Sequence, residues 1–170
     1  SLLTLDELER IFEKIHALFP VVGDAEITLE ANPDDLSRTQ LHDLKAHTPV
    51  NRLSIGIQSF HDNDLRWMNR AHTAAHARHC LRDAAAAGFD NLNLDLMYAL
   101  PGQDLAMAER DLERAFALQP AHISHYQLTL EPNTVFFARP PQGIPDDDDA
   151  WDIQEHCQDL LAQAGYGHYE

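Results

Sequence analysis

Residues 91–96 read Asn91-Leu92-Asn93-Leu94-Asp95-Leu96, with leucine at every even position and an amide or carboxylate at every odd one. Successive side chains of a strand point to opposite faces, so this stretch predicts a β-strand with one dry face and one polar face. Two more stretches alternate in the same way: Glu26-Ile27-Thr28-Leu29-Glu30, and Arg52 to Gln58. In the second, Leu53, Ile55 and Ile57 share one face, while Arg52, Ser54, Gly56 and Gln58 share the other. His122 to Leu128 predicts a fourth strand, less regular in its alternation.

Between the strands the apolar period lengthens to that of a helix. Thr4 and Glu7 form a capping box ahead of Leu5, Leu8, Ile11, Phe12, Ile15, Leu18 and Phe19, and Pro20 and Gly23 close that helix. Asn32-Pro33-Asp34-Asp35 is a turn, and Ser37 caps a short helix carrying Leu41 and Leu44. Thr73 opens an alanine-rich helix that Gly88 stops. Asp104 opens a helix with Leu105, Ala108, Leu112, Ala115 and Phe116 on one side, ending near Pro120. A Pro-rich loop runs over residues 131–145, a last helix runs from the Asp146–Asp149 cluster to Gly165, and Tyr166 to Glu170 reads as the start of a further strand.

Alternating α and β units of this size imply a parallel sheet with right-handed crossovers. Strands of an open doubly wound sheet are apolar on both faces, whereas three of the four here are polar on one. An α/β partial (β/α) barrel, with outer helices on the apolar face and a polar lumen, accounts for that asymmetry. The first helix (Thr4–Phe19) and the alanine-rich helix (Thr73–Ala87) are expected to cover Ile27, Leu29, Leu53, Ile55, Ile57, Leu92, Leu94 and Leu96. The chain's 170 residues suffice for one core, but a complete eight-fold barrel usually needs about 250. Chemistry in such folds sits at the carboxyl ends of the strands. Those ends carry Glu30, Gln58 and Asp95, and the fourth strand finishes around Gln127, Leu128 and Thr129. Either these residues form one convergent polar ring, or each is a separate cap or turn residue.

Composition removes several classes of function. Twelve Lys and Arg against 28 Asp and Glu give a formal charge of −16, which argues against a nucleic-acid or anionic-membrane surface. No apolar run is long enough to cross a membrane, and Ser1-Leu2-Leu3 leads into an acidic amphipathic segment rather than a signal peptide. Cys80 and Cys157 stand 77 residues apart and form no disulfide framework, consistent with a cytoplasmic location. His72, His76 and His79, with Cys80, have helical spacing for a metal, but a solvated helix face is the plainer reading. His122 and His125 fall on opposite faces of one strand, so they share no metal. Tyr98, Trp67 and Trp151 read as core. Phe136-Phe137, in the Pro-rich loop, are a candidate ligand or partner contact. The Asp146–Asp149 run reads as favourable charge at a helix N-terminus.

Five ordered stretches carry a resemblance: Glu30-Ala31-Asn32-Pro33, Asn51 to Phe60, Asn69-Arg70-Ala71-His72-Thr73, Asn93 to Gln103, and His122 to Leu128. Together they resemble the radical S-adenosylmethionine proteins related to oxygen-independent coproporphyrinogen III oxidase, and within them the heme-chaperone branch. The resemblance implies a partial barrel that binds S-adenosylmethionine and a [4Fe-4S] cluster. It implies that Glu30, Gln58, Arg70 and Asp95 contact S-adenosylmethionine, and that Thr129 does so through its backbone. No catalytic or metal-ligating residue is assigned within the chain. The cluster-binding CxxxCxxC motif is absent from the sequence, so residues 1–170 are expected to be the central part of a longer protein, inactive and association-prone in isolation. The implied partners are heme or a porphyrin and a heme-accepting apo-protein; the alternative activity is oxidative decarboxylation of coproporphyrinogen. Ala99 stands where the family has glycine, and its backbone is expected not to need a positive φ.

Overall fold

The computed structural model describes residues 3–169. In chain order its elements are α1 (Leu5–Leu18), β1 (Thr28–Ala31), a 3-10 turn (Pro33–Asp35), α2 (Arg38–His47), β2 (Arg52–Gln58), α3 (Asp62–Trp67), α4 (Ala74–Ala86), β3 (Asn91–Tyr98), α5 (Leu105–Phe116), β4 (His122–Gln127), α6 (Val135–Ala138) and α7 (Asp147–Gln163). Most of the expected caps form. Thr4 and Glu7 make the capping box of α1, and Ser37 and Gln40 make that of α2. Thr73, Asp104 and Asp146 each accept a hydrogen bond from a first-turn amide of α4, α5 and α7. Gly88 and Gly165 follow α4 and α7 at φ 93° and 90°, where a side chain would be strained.

The four strands are parallel and lie in sequential order β1-β2-β3-β4. Crossovers of one hand in an order that never reverses place their helices on the same face. That face is dry. Leu53, Ile55, Ile57, Leu94 and Leu96 are at most 1% exposed. The same core takes in Leu41 and Leu44 of α2, Ala77, Leu81 and Ala84 of α4, Ala108, Leu112 and Ala115 of α5, and Ile153 and Cys157 of α7. The sheet is not closed, so the architecture is a partial (β/α) barrel.

Several expectations need correction. The first helix does not cover the sheet. It has no buried residue, only Leu8 and Phe12 lean on the core, and α1 packs against α2. Its neighbour β1 is a four-residue edge strand, and among the described residues no strand lies beyond it for α1 to cover. Residues 166–169 form no strand; Tyr166 instead donates its hydroxyl to the Pro120 carbonyl at 2.8 Å. The tail and α7 flank the open edge of β4 around a groove of about 540 Å³. Ala99 does adopt a positive φ, 56°, while 1% exposed. Trp151 is 58% exposed rather than core. Phe136 and Phe137 lie on the one-turn helix α6, and the Phe136 ring stacks on Trp67 at 4.9 Å.

This distribution of burial predicts unequal costs for similar truncations. Leu112→Ala, at a fully buried position, should lower unfolding free energy in urea by about 2–5 kcal/mol. Ile11→Ala, on the 42%-exposed face of α1, should cost less than about 1 kcal/mol. Equal costs would mean that α1 is part of the core.

Candidate functional site

Strand register stacks the inward-facing residues in rungs. Thr28, Arg52 and Asn91 form the lowest; Glu30, Ser54, Asn93 and His122 the next; Gly56, Asp95 and Ser124 the third; Met97 and Tyr126 the fourth. Asp95 therefore does not end its strand, because Leu96, Met97 and Tyr98 continue the pairing with β4. Glu30, exposed, stands one rung below it. The three side chains expected to form one ring stand at different heights, with Glu30 one rung below Asp95 and Gln58, paired with Leu96, above it.

Asp95 is held by the rung below it. Ser54 Oγ approaches its two carboxylate oxygens at 3.2 and 3.4 Å, and Asn93 Nδ2 donates to Oδ1 at 2.8 Å. Asn93 is 2% exposed and fully engaged: Nδ2 also donates to Ser54 Oγ at 2.8 Å, and Oδ1 accepts from Ser124 Oγ at 3.2 Å. Burial raises the Asp95 carboxyl above its ordinary value; the Ser54 and Asn93 hydrogen bonds oppose this, Glu30 adds to it, and Arg52 opposes it.

Arg70, Asn32 and Gln58 converge over Gly56. The Arg70 Nη2 donates to the Gly56 carbonyl at 2.9 Å and to Asn32 Oδ1. A Cβ on Gly56 would stand 2.9 Å from Gln58 Nε2, 3.2 Å from Arg70 Nη2 and 3.3 Å from Asn32 Oδ1, so only glycine leaves room for the cluster. Asn32 is fixed in turn by donating to Asp35 Oδ2 at 3.1 Å. Arg70 is delivered by Asn69, whose φ of 55° turns the chain back so that the Arg70 amide reaches the Leu65 carbonyl at 2.8 Å. Gln58 follows a register irregularity in β2 and has φ 69°. A bulge of this kind re-aims a side chain, and here the Gln58 Oε1 accepts from the Tyr126 hydroxyl at 2.7 Å.

Thr129 lies past the end of β4, exposed, with its hydroxyl donating to Glu131 Oε1 at 3.0 Å rather than to the cluster. The sequence reading missed Asn32, Ser54, Gly56, Asn93, Ser124 and Tyr126 as parts of the site. Gly56 did carry a signal, since a glycine inside a strand marks close approach by another group. The histidine face is not a site. His72 precedes α4 and is buried, with Nε2 3.1 Å from the Ile57 carbonyl, and burial lowers its pKa. His76 and His79 are exposed, and no cluster of three metal-ligating side chains occurs among the described residues. His125 stacks on Tyr98 at 4.7 Å on the helix-covered side, and burial pushes it down to about 4.

The sequence pattern of the radical SAM superfamily matches residues 2–115. The chain belongs to that superfamily. It is 44% identical over 170 residues to the heme chaperone HemW of Escherichia coli, a match covering all of this chain and 44% of that protein. It is 42% identical to HemW of Haemophilus influenzae over 170 residues, again all of this chain and 44% of the relative. The chain thus spans less than half the length of these curated relatives. Among solved structures, coproporphyrinogen III oxidase HemN from Escherichia coli superposes with a TM-score of 0.84 at 29% identity, covering 97% of this chain and 38% of that one. The maturase HydG superposes with a TM-score of 0.65 at 16% identity, over 95% of this chain and 36% of that one, which shows the fold alone. No helix among the described residues is long and apolar enough to cross a membrane.

Superfamily membership implies S-adenosylmethionine and a [4Fe-4S] cluster. The lumen fits the first. Gly56 lets Asn32, Gln58 and Arg70 converge over it, Arg70 keeps Nε and Nη1 without partners among the described residues, and Asp95 presents acceptors suited to a diol. The cysteines do not fit the second. Cys80 and Cys157 are buried in α4 and α7, and burial pushes their thiols up to about 11 and about 12. Metal ligation needs the thiolate, so neither residue is a cluster ligand.

Asp95 gives this site a pH signature. Burial holds its folded pKa above the ordinary aspartate value of 3.8. The stability that the protonated form contributes is therefore complete below 3.8 and is lost as pH rises through the folded value. Asp95→Asn keeps an acceptor for Ser54 and Asn93 and does not ionise. Urea titrations from acid to neutral pH should show wild type losing stability relative to Asp95→Asn across that window. Parallel curves would mean that Asp95 ionises freely.

Proposed function

We propose that residues 1–170 are the central part of a heme chaperone that binds S-adenosylmethionine in this lumen and delivers heme to an apo-protein in the cytoplasm. The cluster ligands are assigned to sequence outside residues 1–170. Identity of 42–44% to chaperones, against 29% to the oxidase, supports the chaperone reading over coproporphyrinogen decarboxylation. The observation that carries the cofactor assignment is the cradle over Gly56, where Asn32, Gln58 and Arg70 meet beside the network that holds Asp95.

Each group has a chemistry that suits one part of the ligand. The Asp95 carboxylate accepts from paired ribose hydroxyls, and charge-assisted bonds of this kind are the strong ones. Arg70 is tied by neutral partners, so its positive charge is free for the methionyl carboxylate. Glu30, one rung below Asp95, adds negative potential that suits the ammonium and the sulfonium. Thr129 is assigned a backbone contact on the family resemblance alone, since its hydroxyl bonds Glu131. When bound, the cofactor supplies radical chemistry; these residues bind it, orient it and keep water away.

In the cluster-loaded full-length protein, Asp95→Asn should weaken S-adenosylmethionine binding roughly ten- to a hundredfold by calorimetry, since hydrogen bonds to charged groups are worth about 1.5–3 kcal/mol. Gly56→Ala should weaken it as well, because its Cβ would stand 2.9 Å from Gln58 Nε2. Asp95→Asn should melt no lower than wild type, so that its loss of affinity is not a loss of fold. The same preparation, given heme with an apo-protein or coproporphyrinogen, should transfer the first and leave the second unchanged. Turnover of coproporphyrinogen would establish the oxidase instead.

A further inference from the structure

We propose that Tyr126 is a positioning residue: its hydroxyl fixes the Gln58 carboxamide so that Nε2, beside Arg70, is presented to a carboxylate of the bound ligand. The proposal rests on the reading of the lumen as the S-adenosylmethionine site.

Tyr126 pairs in register with Met97 on the fourth inward rung, 41% exposed at the mouth of the lumen. Its hydroxyl donates to Gln58 Oε1 at 2.7 Å. A carboxamide is nearly symmetric in shape but opposite in chemistry at its two ends, one accepting and one donating. In this structure the phenol donates to Oε1, and the amide nitrogen then faces away from it. It does so toward the cradle, with Nε2 and Arg70 Nη2 2.9 and 3.2 Å from the same point above Gly56. Arg70 Nη2 is engaged by Asn32 and Gly56, which leaves Nε, Nη1 and the Gln58 amide protons as a cluster of donors. A carboxylate, with two acceptor oxygens, is the group that such donors take.

The backbone does not set this orientation. Gln58 follows a register irregularity and lies at φ 69°, so its side chain no longer follows the strand's alternation and needs an anchor from elsewhere. Tyr126 supplies the anchor from the far side of β3. Burial and the Asp95 carboxylate keep the phenol protonated, while Gln58 and Arg70 oppose them. The hydroxyl therefore remains a donor throughout the neutral range.

The test is a double-mutant cycle on the cluster-loaded full-length protein, read by calorimetry with S-adenosylmethionine and by melting temperature. Tyr126→Phe removes one hydroxyl and should weaken binding roughly three- to tenfold, the range for one hydrogen bond, at an unchanged melting temperature. Gln58→Leu should weaken binding by a similar factor. In the Gln58→Leu background, Tyr126→Phe should produce no further loss, because the phenol would have no carboxamide to hold. Additive losses would show that Tyr126 contacts the ligand by itself, and unchanged affinity with a lowered melting temperature would show a structural role; either overturns the proposal. Failure of the wild type to bind S-adenosylmethionine would overturn the cofactor assignment too, and is distinguishable because it needs no variant.

Discussion

Asn93 is an amide held at 2% exposure in a lumen, and the arrangement around Asp95 depends on satisfying it. The constraint begins on the other face of β3. Leu92, Leu94 and Leu96 are claimed by the helices, so the odd-numbered residues must turn inward. An unpaired buried amide costs about 1–3 kcal/mol, and each strand beside β3 contributes a partner: Ser54 from β2 and Ser124 from β4. Once these bonds form, the second Asn93 donor falls on Asp95 and holds its carboxylate in place. The feature that makes the apolar face a core thus also fixes the polar group that we assign to the cofactor.

The mouth of the lumen depends on strain held from outside the site. Gln58 and Ala99, at the exits of β2 and β3, and Asn69, just before Arg70, have positive φ. Such residues cost about 1–3 kcal/mol each and persist only where the surroundings over-determine them. Behind Gln58 the surroundings are polar and buried. Ser59 donates to Asp64, the Phe60 amide donates to Asp111 at 2.9 Å, and Arg114 holds the Phe60 carbonyl at 2.6 Å. Behind Ala99, the Leu100 amide is captured by the Gln103 carboxamide at 3.2 Å. Burial raises the carboxyls of Asp64 and Asp111, as expected of acids that hold loop backbone away from water.

Features set by neighbours in sequence were legible. The alternation of β2 and β3, the threonine, serine and aspartate caps, and the glycine stops of α4 and α7 depend on a few consecutive residues, and each has its expected role. Features set by register or by the sheet's edge were not. Asp95 looked terminal because Met97 and Tyr98 break the alternation, yet they pair with β4. The apolar stripe of α1 was genuine, but periodicity does not say whether a strand lies beneath it. Of the five residues assigned to the site, Gln58 and Arg70 meet over Gly56, Asp95 and Glu30 occupy adjacent rungs, and Thr129 stays apart. Asn32 and Tyr126 stood in the motifs that carried the resemblance, but their partners lie 38 and 68 residues away, beyond any local reading.

The charges in the lumen bear on which ligand this part of the barrel receives. Arg52 is matched to Glu26 at 3.8 Å and bonded to Thr28. Arg70 is bonded only to neutral groups, so among the described residues it is the lumen guanidinium without a carboxylate counterpart. The lumen carboxylates are Asp95 and Glu30, on adjacent rungs. One free cation beside two carboxylates complements a ligand with one carboxylate and two positive centres, which describes S-adenosylmethionine. A heme or porphyrin brings at least two propionates, which one guanidinium beside two carboxylates matches less well. That charge balance supports our assignment of this lumen to S-adenosylmethionine rather than to a propionate-bearing macrocycle.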